Sequence, residues 1–231
     1  MKHPGSYKED QRGETMKTEI LNYFTALVVV SALYGCAATP PAYDMVILNG
    51  NIVDGSGSAA YVSDIAIKGD EIVKIGRFDK SMATRVIDAT GLTVSPGFID
   101  LHTHADRNIT DNPGVENYLR QGVTTLLGGN CGSSAVDLDE YFQSVEETGI
   151  AANLAMLIGH NDVRAKVMGN DNRAPTTDEQ TSMEALVAEA MEDGAFGLST
   201  GLIYLPGTYS ETEEVIALAR VAAQKGGIYA S

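Results

Sequence analysis

At 231 residues the chain has room for one large domain, or for one medium and one small. A hydrophobic share of 44% with 20% charged residues is that of a globular protein and excludes wholesale disorder. The net charge of −15, with 16 basic residues against 31 acidic ones, leaves too few Lys and Arg for a phosphate-binding face and argues against nucleic acid as a partner.

In chain order, the first feature is the apolar run over residues 20–34, preceded by Lys17 and followed by small residues. It is too short for a comfortable membrane span and has the layout of a signal-peptide core. Its end, Leu33-Tyr34-Gly35-Cys36, resembles a bacterial lipobox, in which the cysteine is lipidated and becomes the first mature residue. On that reading residues 1–15 are an upstream extension and 16–36 a lipoprotein signal peptide starting at Met16. The protein is then exported to the periplasm and tethered to the membrane by lipid on Cys36. A secretory signal cut near Ala37-Ala38 and a buried helix are the alternatives. Residues 37–43, with Pro40-Pro41, read as a linker.

Residues 44–94 alternate in polarity and turn often, the pattern of a small β subdomain without catalytic-looking side chains. Residues 44–50 read as strand then turn, and residues 51–55 repeat the pattern. A hairpin is expected over residues 64–76 around Gly69-Asp70, and short strands at residues 86–88 and 92–94. From residue 95 the rhythm becomes strand, loop, helix. Apolar strands are expected at 95–102, 124–127, 153–158, 196–199 and 227–230. Thr177-x-x-Gln180 reads as a capping box opening a helix that ends at Gly194, and Ser210-x-x-Glu213 opens another that runs to Gly226. Asn112-Pro113 and residues 138–147 start two weaker helices. Alternating β and α predicts a parallel sheet with right-handed crossovers. Polar residues cluster just after successive strands, which favours a barrel over a doubly wound sheet.

Those strand ends carry the chemistry. Pro96-Gly97-Phe98-Ile99-Asp100-Leu101-His102-Thr103-His104 closes the first strand with two imidazoles two positions apart, a spacing that puts both on one face of a strand together with Asp100. Gly128-Gly129-Asn130-Cys131-Gly132 follows the second strand and Gly159-His160-Asn161 the third. Only two cysteines occur, so a lipidated Cys36 leaves Cys131 without a disulfide partner, and a metal gives such a thiol a reason. Imidazole and thiolate together favour Zn²⁺ over Mg²⁺ or Ca²⁺, which prefer oxygen. For His160 two readings stand: contact with a substrate, or a hydrogen bond at the barrel rim.

With these motifs the chain resembles the N-terminal half of an N-acyl-D-amino-acid deacylase (D-aminoacylase) of the amidohydrolase superfamily, from about Tyr43 to Ser231. The matching pieces are residues 43–55, Pro96–His104, Gly128–Gly132 and Gly197–Tyr204 with Pro206-Gly207. Dihydroorotases and hydantoinases of the superfamily use a lysine after the fourth strand where this chain has Cys131 after the second. The resemblance implies a partial (β/α)8 TIM-type barrel with about five of eight strands over residues 95–231, preceded by a partial β-sandwich subdomain over 44–94. It implies zinc, with Cys131 as thiolate ligand of the tight site, His102 and His104 at a weaker metal position, and Asp100 steadying them. Ile203 and Tyr204 would line the substrate pocket, Tyr204 bonding the substrate carboxylate. The reaction implied is hydrolysis of a linear amide, an N-acyl-D-amino acid. The family's remaining histidine ligands and its catalytic aspartate would follow Ser231, so the expectation is a truncated sequence, inactive alone. A dihydroorotase-like or hydantoinase-like amidohydrolase and a lipid-anchored metal-binding protein without turnover are the rival readings.

Overall fold

A computed structural model of the chain describes Met1 and residues 41–231. The apolar run, Cys36 and the start of the linker lie outside the described residues. Two compact units are present, one ending at Ser95 and the other spanning Pro96–Ser231. No described helix is long and apolar enough to cross a membrane.

The first unit is a five-stranded sheet. Strands β1 (Tyr43–Ile52), β2 (Tyr61–Lys68), β3 (Glu71–Gly76) and β4 (Ala83–Asp88) run in the order β3-β2-β1-β4, and β5 (Thr93–Val94) also pairs with β1. Tyr43 is thus the first residue of β1 and not the last of a linker. The strand–turn–strand expected over residues 44–55 is a single strand whose register against β2 shifts between Ile47 and Gly50. Asn49 absorbs the extra residue at φ 60°, a left-handed conformation its short polar side chain tolerates. Its N–H is taken by Asp64 Oδ1 at 2.8 Å and its amide reaches Asp88 Oδ1 at 3.2 Å. A bulge with its own hydrogen bonds replaces the turn. Among the described residues this unit supplies one layer of the partial sandwich.

The second unit is a parallel sheet of β6 (Phe98–Asp100), β7 (Val123–Gly128), β8 (Asn153–Gly159), β9 (Gly197–Ser199) and β10 (Ile228–Ala230), and spatial order follows chain order throughout. A doubly wound sheet reverses its order at a switch point; this one does not, and so it is the partial barrel. The helices between the strands are α1 (Glu116–Leu119), α2 (Leu138–Thr148), α3 (His160–Met168), α4 (Thr177–Glu192) and α5 (Thr212–Gln224). Met156 and Ile158 of β8, Leu198 of β9, Met183 and Val187 of α4 and Leu218 of α5 are fully buried in one cluster. Each such side chain contributes about 1.5–3 kcal/mol on removal from water. A second cluster under β7 gathers Leu126, Ile109, Val115 and Val145.

Helix starts differ in detail from expectation. The capping box of α4 is Thr176 with Glu179, one residue ahead of the pair read from sequence. Ser210 caps nothing; its hydroxyl donates to Gly207 O at 2.7 Å, and α5 begins after Glu211 without a side-chain cap. The segment after Asn112-Pro113 forms turns and only the short α1, whereas Asp137 caps α2 by accepting from Glu140 N at 2.9 Å.

Candidate metal centre

The strand expected over residues 95–102 ends at Asp100. The reason is local: Asp100 Oδ1 accepts the N–H of His102 at 3.1 Å, which withdraws that donor from the ladder. The next residue returns to the sheet. Thr103, 3% exposed, donates both its N–H (3.1 Å) and its hydroxyl (3.2 Å) to Leu127 O of β7. Its neighbours point the other way, so His102 and His104 stand exposed beyond the strand, their rings edge-on with centroids 5.6 Å apart.

The cysteine arrives from β7. Gly129 turns the chain at φ 71°, and a Cβ there would lie 2.0 Å from Leu157 O, so glycine alone fits. Buried Asn130 stitches the turn to both strands, donating to Leu127 O at 2.7 Å and to Thr103 O at 3.4 Å. Cys131 itself takes φ 57°, a left-handed conformation that a non-glycine residue occupies at a cost of order 1–3 kcal/mol. Neighbouring strands hold it there. Ser199 of β9 accepts from Gly132 N at 2.9 Å and donates to Gly129 O, while Asn161 donates its backbone N–H to Gly132 O at 2.9 Å and its amide to Cys131 O at 3.4 Å.

The result is a cluster. Cys131 Sγ lies 3.3 Å from His102 Nε2, and ligand atoms of His102, His104 and Cys131 all fall within 4.8 Å of one another. Two imidazole nitrogens and a sulfur are a donor set suited to zinc, so these residues fit that ion. His104 and Cys131 also border a cleft of about 560 Å³ with Arg107, Asn161, Asp162, Tyr204 and Pro206. Tyr204 is therefore beside the cluster, whereas Ile203, 84% exposed, is not among the residues of that wall. His160 is fully buried, with Nε2 2.8 Å from Glu214 Oε1. The other Glu214 oxygen pairs with buried Arg164, whose second terminal nitrogen donates to Asp171 O and Arg173 O at 3.2 and 2.7 Å. Direct contact with a ligand in the cleft is out of reach of His160.

Two carboxyls nearby are pushed in opposite directions. Burial raises Glu214, but the hydrogen bonds from His160 and Arg164 outweigh it and hold the group below its ordinary value. Burial also raises Asp106, and there the opposing N–H of Gly129 is too weak to reverse it. Tyr141, pushed up to about 12 by burial and the Asp106 charge, stays a donor, its hydroxyl 2.9 Å from Asp106 O.

Residues 85–231 match the model of the amidohydrolase family. The chain belongs to that family. This amidohydrolase chain is 36% identical to a D-aminoacylase of Alcaligenes xylosoxydans xylosoxydans over 212 residues, which is 82% of this chain and 44% of the relative. It is 37% identical over 210 residues to an N-acyl-D-glutamate deacylase of the same organism, 81% and 43% of the two chains. The chain thus spans less than half the length of these curated relatives. In structure it resembles an N-acyl-D-glutamate deacylase of Bordetella bronchiseptica complexed with zinc and a phosphonate inhibitor. That likeness has a TM-score of 0.77 at 34% identity, covering 81% of this chain and 44% of the other.

Reading the amidohydrolase's sequence missed Ser199, Asn161, Arg164 and Glu214. Ser199 and Asn161 stood in quoted strand-end motifs, but nothing local shows that they reach the cysteine loop from 67 and 30 residues away. Glu214 stands in the first turn of α5, and nothing local shows that its carboxylate is buried against His160 and Arg164.

Proposed function

We propose that this chain forms the metal-binding part of a zinc-dependent deacylase of N-acyl-D-amino acids. One observation carries the reading: a sulfur and two imidazoles meet at the C-terminal ends of two consecutive parallel strands, where barrel enzymes keep their chemistry. His102, His104 and Cys131 would hold the ion. Bound there, zinc supplies a Lewis acid for an amide carbonyl and lowers the pKa of a coordinated water toward roughly 7. The protein's own part is placement. Asp100 fixes the backbone at His102, and Ser199 with Asn161 fixes it at Cys131. Tyr204 offers its hydroxyl to the substrate carboxylate, and Leu205 with Pro206 gives the cleft an apolar wall for the acyl group or side chain. Among the described residues none is assigned to proton transfer.

The test has two arms. Equilibrium dialysis of zinc against wild type and Cys131→Ala examines the donor set; equal affinity in both overturns the metal assignment. Release of D-amino acids from N-acetyl-D-methionine, N-acetyl-D-glutamate and N-acetyl-D-aspartate, beside their L-enantiomers, dihydroorotate and hydantoins, examines the substrate class. Hydrolysis confined to the D-series is expected. Preference for a cyclic amide would overturn the deacylase reading.

A second reading, metal binding without turnover, is favoured by the three donors all lying within this chain; tight zinc binding with no hydrolysis of any of these substrates would establish it. Export and lipid attachment at Cys36 remain part of the proposal. Fatty-acid labelling of membrane fractions, lost in Cys36→Ser, is the outcome expected of them.

A further inference from the structure

Among the described residues, Arg107 is the one Lys or Arg in the wall of the cleft beside the metal donors. It ends the short turn Ala105–Arg107 that directly follows His104, and it is exposed. Arg77, Arg120, Arg164 and Arg173 each pair with a carboxylate, but among the described residues Arg107 makes no ion pair. The carboxylate in the same wall, Asp162, is engaged elsewhere, its Oδ2 accepting from Ser134 N at 2.9 Å. Asp106, next in sequence, is buried against Gly128. A guanidinium with no ion pair among the described residues, its charge felt by buried Asp106, therefore lies in the cleft wall of a chain that carries a net charge of −15.

We infer that Arg107 is the anion-recognition residue of this cleft, taking a carboxylate of the ligand whose amide lies against His102, His104 and Cys131. The identity of the ligand rests on the deacylase reading; the charge it must carry does not. The planar fork of a guanidinium matches a carboxylate with two parallel hydrogen bonds and sheds its water more readily than an ammonium. The negative field of the whole molecule disfavours approach of an anion, so a local cation decides whether one is held. Tyr204, in the same wall, adds a neutral hydroxyl donor for the same group.

Cys131 is a free thiol in this cleft and reports the local charge without metal or turnover. In a Cys36→Ser background, with chelator present, the rates of Cys131 alkylation by anionic iodoacetate and neutral iodoacetamide are compared. Arg107→Gln is expected to lower the iodoacetate-to-iodoacetamide ratio by roughly three- to fivefold, the size of one unit charge removed from a wall shared with the sulfur near water. Arg107→Lys should restore most of it. In the second arm the chelator-treated chain, its sulfur free of metal, is alkylated by iodoacetamide in the presence of ligands. N-acetyl-D-leucine, with one carboxylate, should slow Cys131 alkylation in wild type and lose that effect in Arg107→Gln, while N-acetyl-D-leucinamide has none in either. Stronger protection by N-acetyl-D-glutamate than by the leucine compound would assign Arg107 to the side-chain carboxylate, and equal protection to the α-carboxylate. An unchanged ratio in Arg107→Gln, or equal protection by acid and amide, overturns the inference. A changed ratio together with a preference for cyclic amides leaves the inference standing and removes the deacylase reading alone.

Discussion

His160, Glu214 and Arg164 lie buried where α3 meets α5, while His102, His104 and Cys131 lie exposed or half-buried at the ends of β6 and β7. Both sets bring ionisable groups within hydrogen-bonding distance, yet they are built differently. In the buried set the glutamate is spent on its neighbours: one oxygen meets the imidazole, the other the guanidinium, and Arg164 also ties down the chain at residues 171–173. In the strand-end set one contact links sulfur and imidazole, the His104 ring makes no hydrogen bond among the described residues, and it is the backbone beneath that is fastened. A carboxylate with both oxygens engaged by buried neighbours is architecture, even where His160 Nδ1 and Arg164 Nε have no partner among the described residues. A side chain held by its backbone with its ligand atom free is positioned for something else.

Substitutions in each set test that contrast. The largest loss of stability is expected for Glu214→Gln, which leaves buried Arg164 without its counter-charge and should cost about 3–5 kcal/mol in urea unfolding, with zinc affinity little changed in the protein that remains folded. Its pH signature has a definite sign. Glu214 is held below its ordinary value of 4.5, so its contribution is complete above that pH and vanishes as pH falls through the lowered value. Wild type should therefore lose stability below about pH 4.5 more steeply than Glu214→Gln, a difference readable by acid titration of tryptophan-free near-UV circular dichroism. Ser199→Ala comes next, at about 1–3 kcal/mol, because Gly132 N–H and Gly129 C=O are left unpaired in a buried place; zinc binding should weaken with it, since the cysteine loop is released. Thr176→Ala removes the cap of α4 and should cost about 1 kcal/mol in the same assay, leaving zinc untouched. Smallest of all is Cys131→Ala, expected within about 0.5 kcal/mol of wild type, although zinc affinity by competition with a chromophoric chelator should fall more than about 100-fold. Equal destabilisation by Cys131→Ala and Glu214→Gln would erase the contrast.

The sequence showed the parallel unit's strand positions and three clustered donors because those signals are local: an apolar run, a following glycine, a histidine or cysteine just past it. It misjudged how the histidines are displayed. Apolar alternation predicts a strand to residue 102, but the Asp100 carboxylate takes the His102 N–H out of the ladder, a contact over two residues. The one-residue slip in the α4 cap has a similar source, since Thr176 and Thr177 are both competent and Arg173 helps fix Glu179 as the reciprocal partner. Ser199, Asn161 and Glu214 were illegible for another reason. Their partners are 30 to 70 residues away, and only the curl of the sheet brings them together.

The buried threonine between the two exposed rings has a consequence for how this tripeptide can vary. Thr103 spends both its donors on one carbonyl of the adjacent strand, so the imidazoles on either side share a single anchor and cannot be re-aimed independently. Insertion or deletion of one residue between Asp100 and His104 would shift that anchor and turn one ring into the protein interior. Spacing here is thus less forgiving than residue identity: a serine replacing Thr103 is tolerable, whereas a frame slip of one is not.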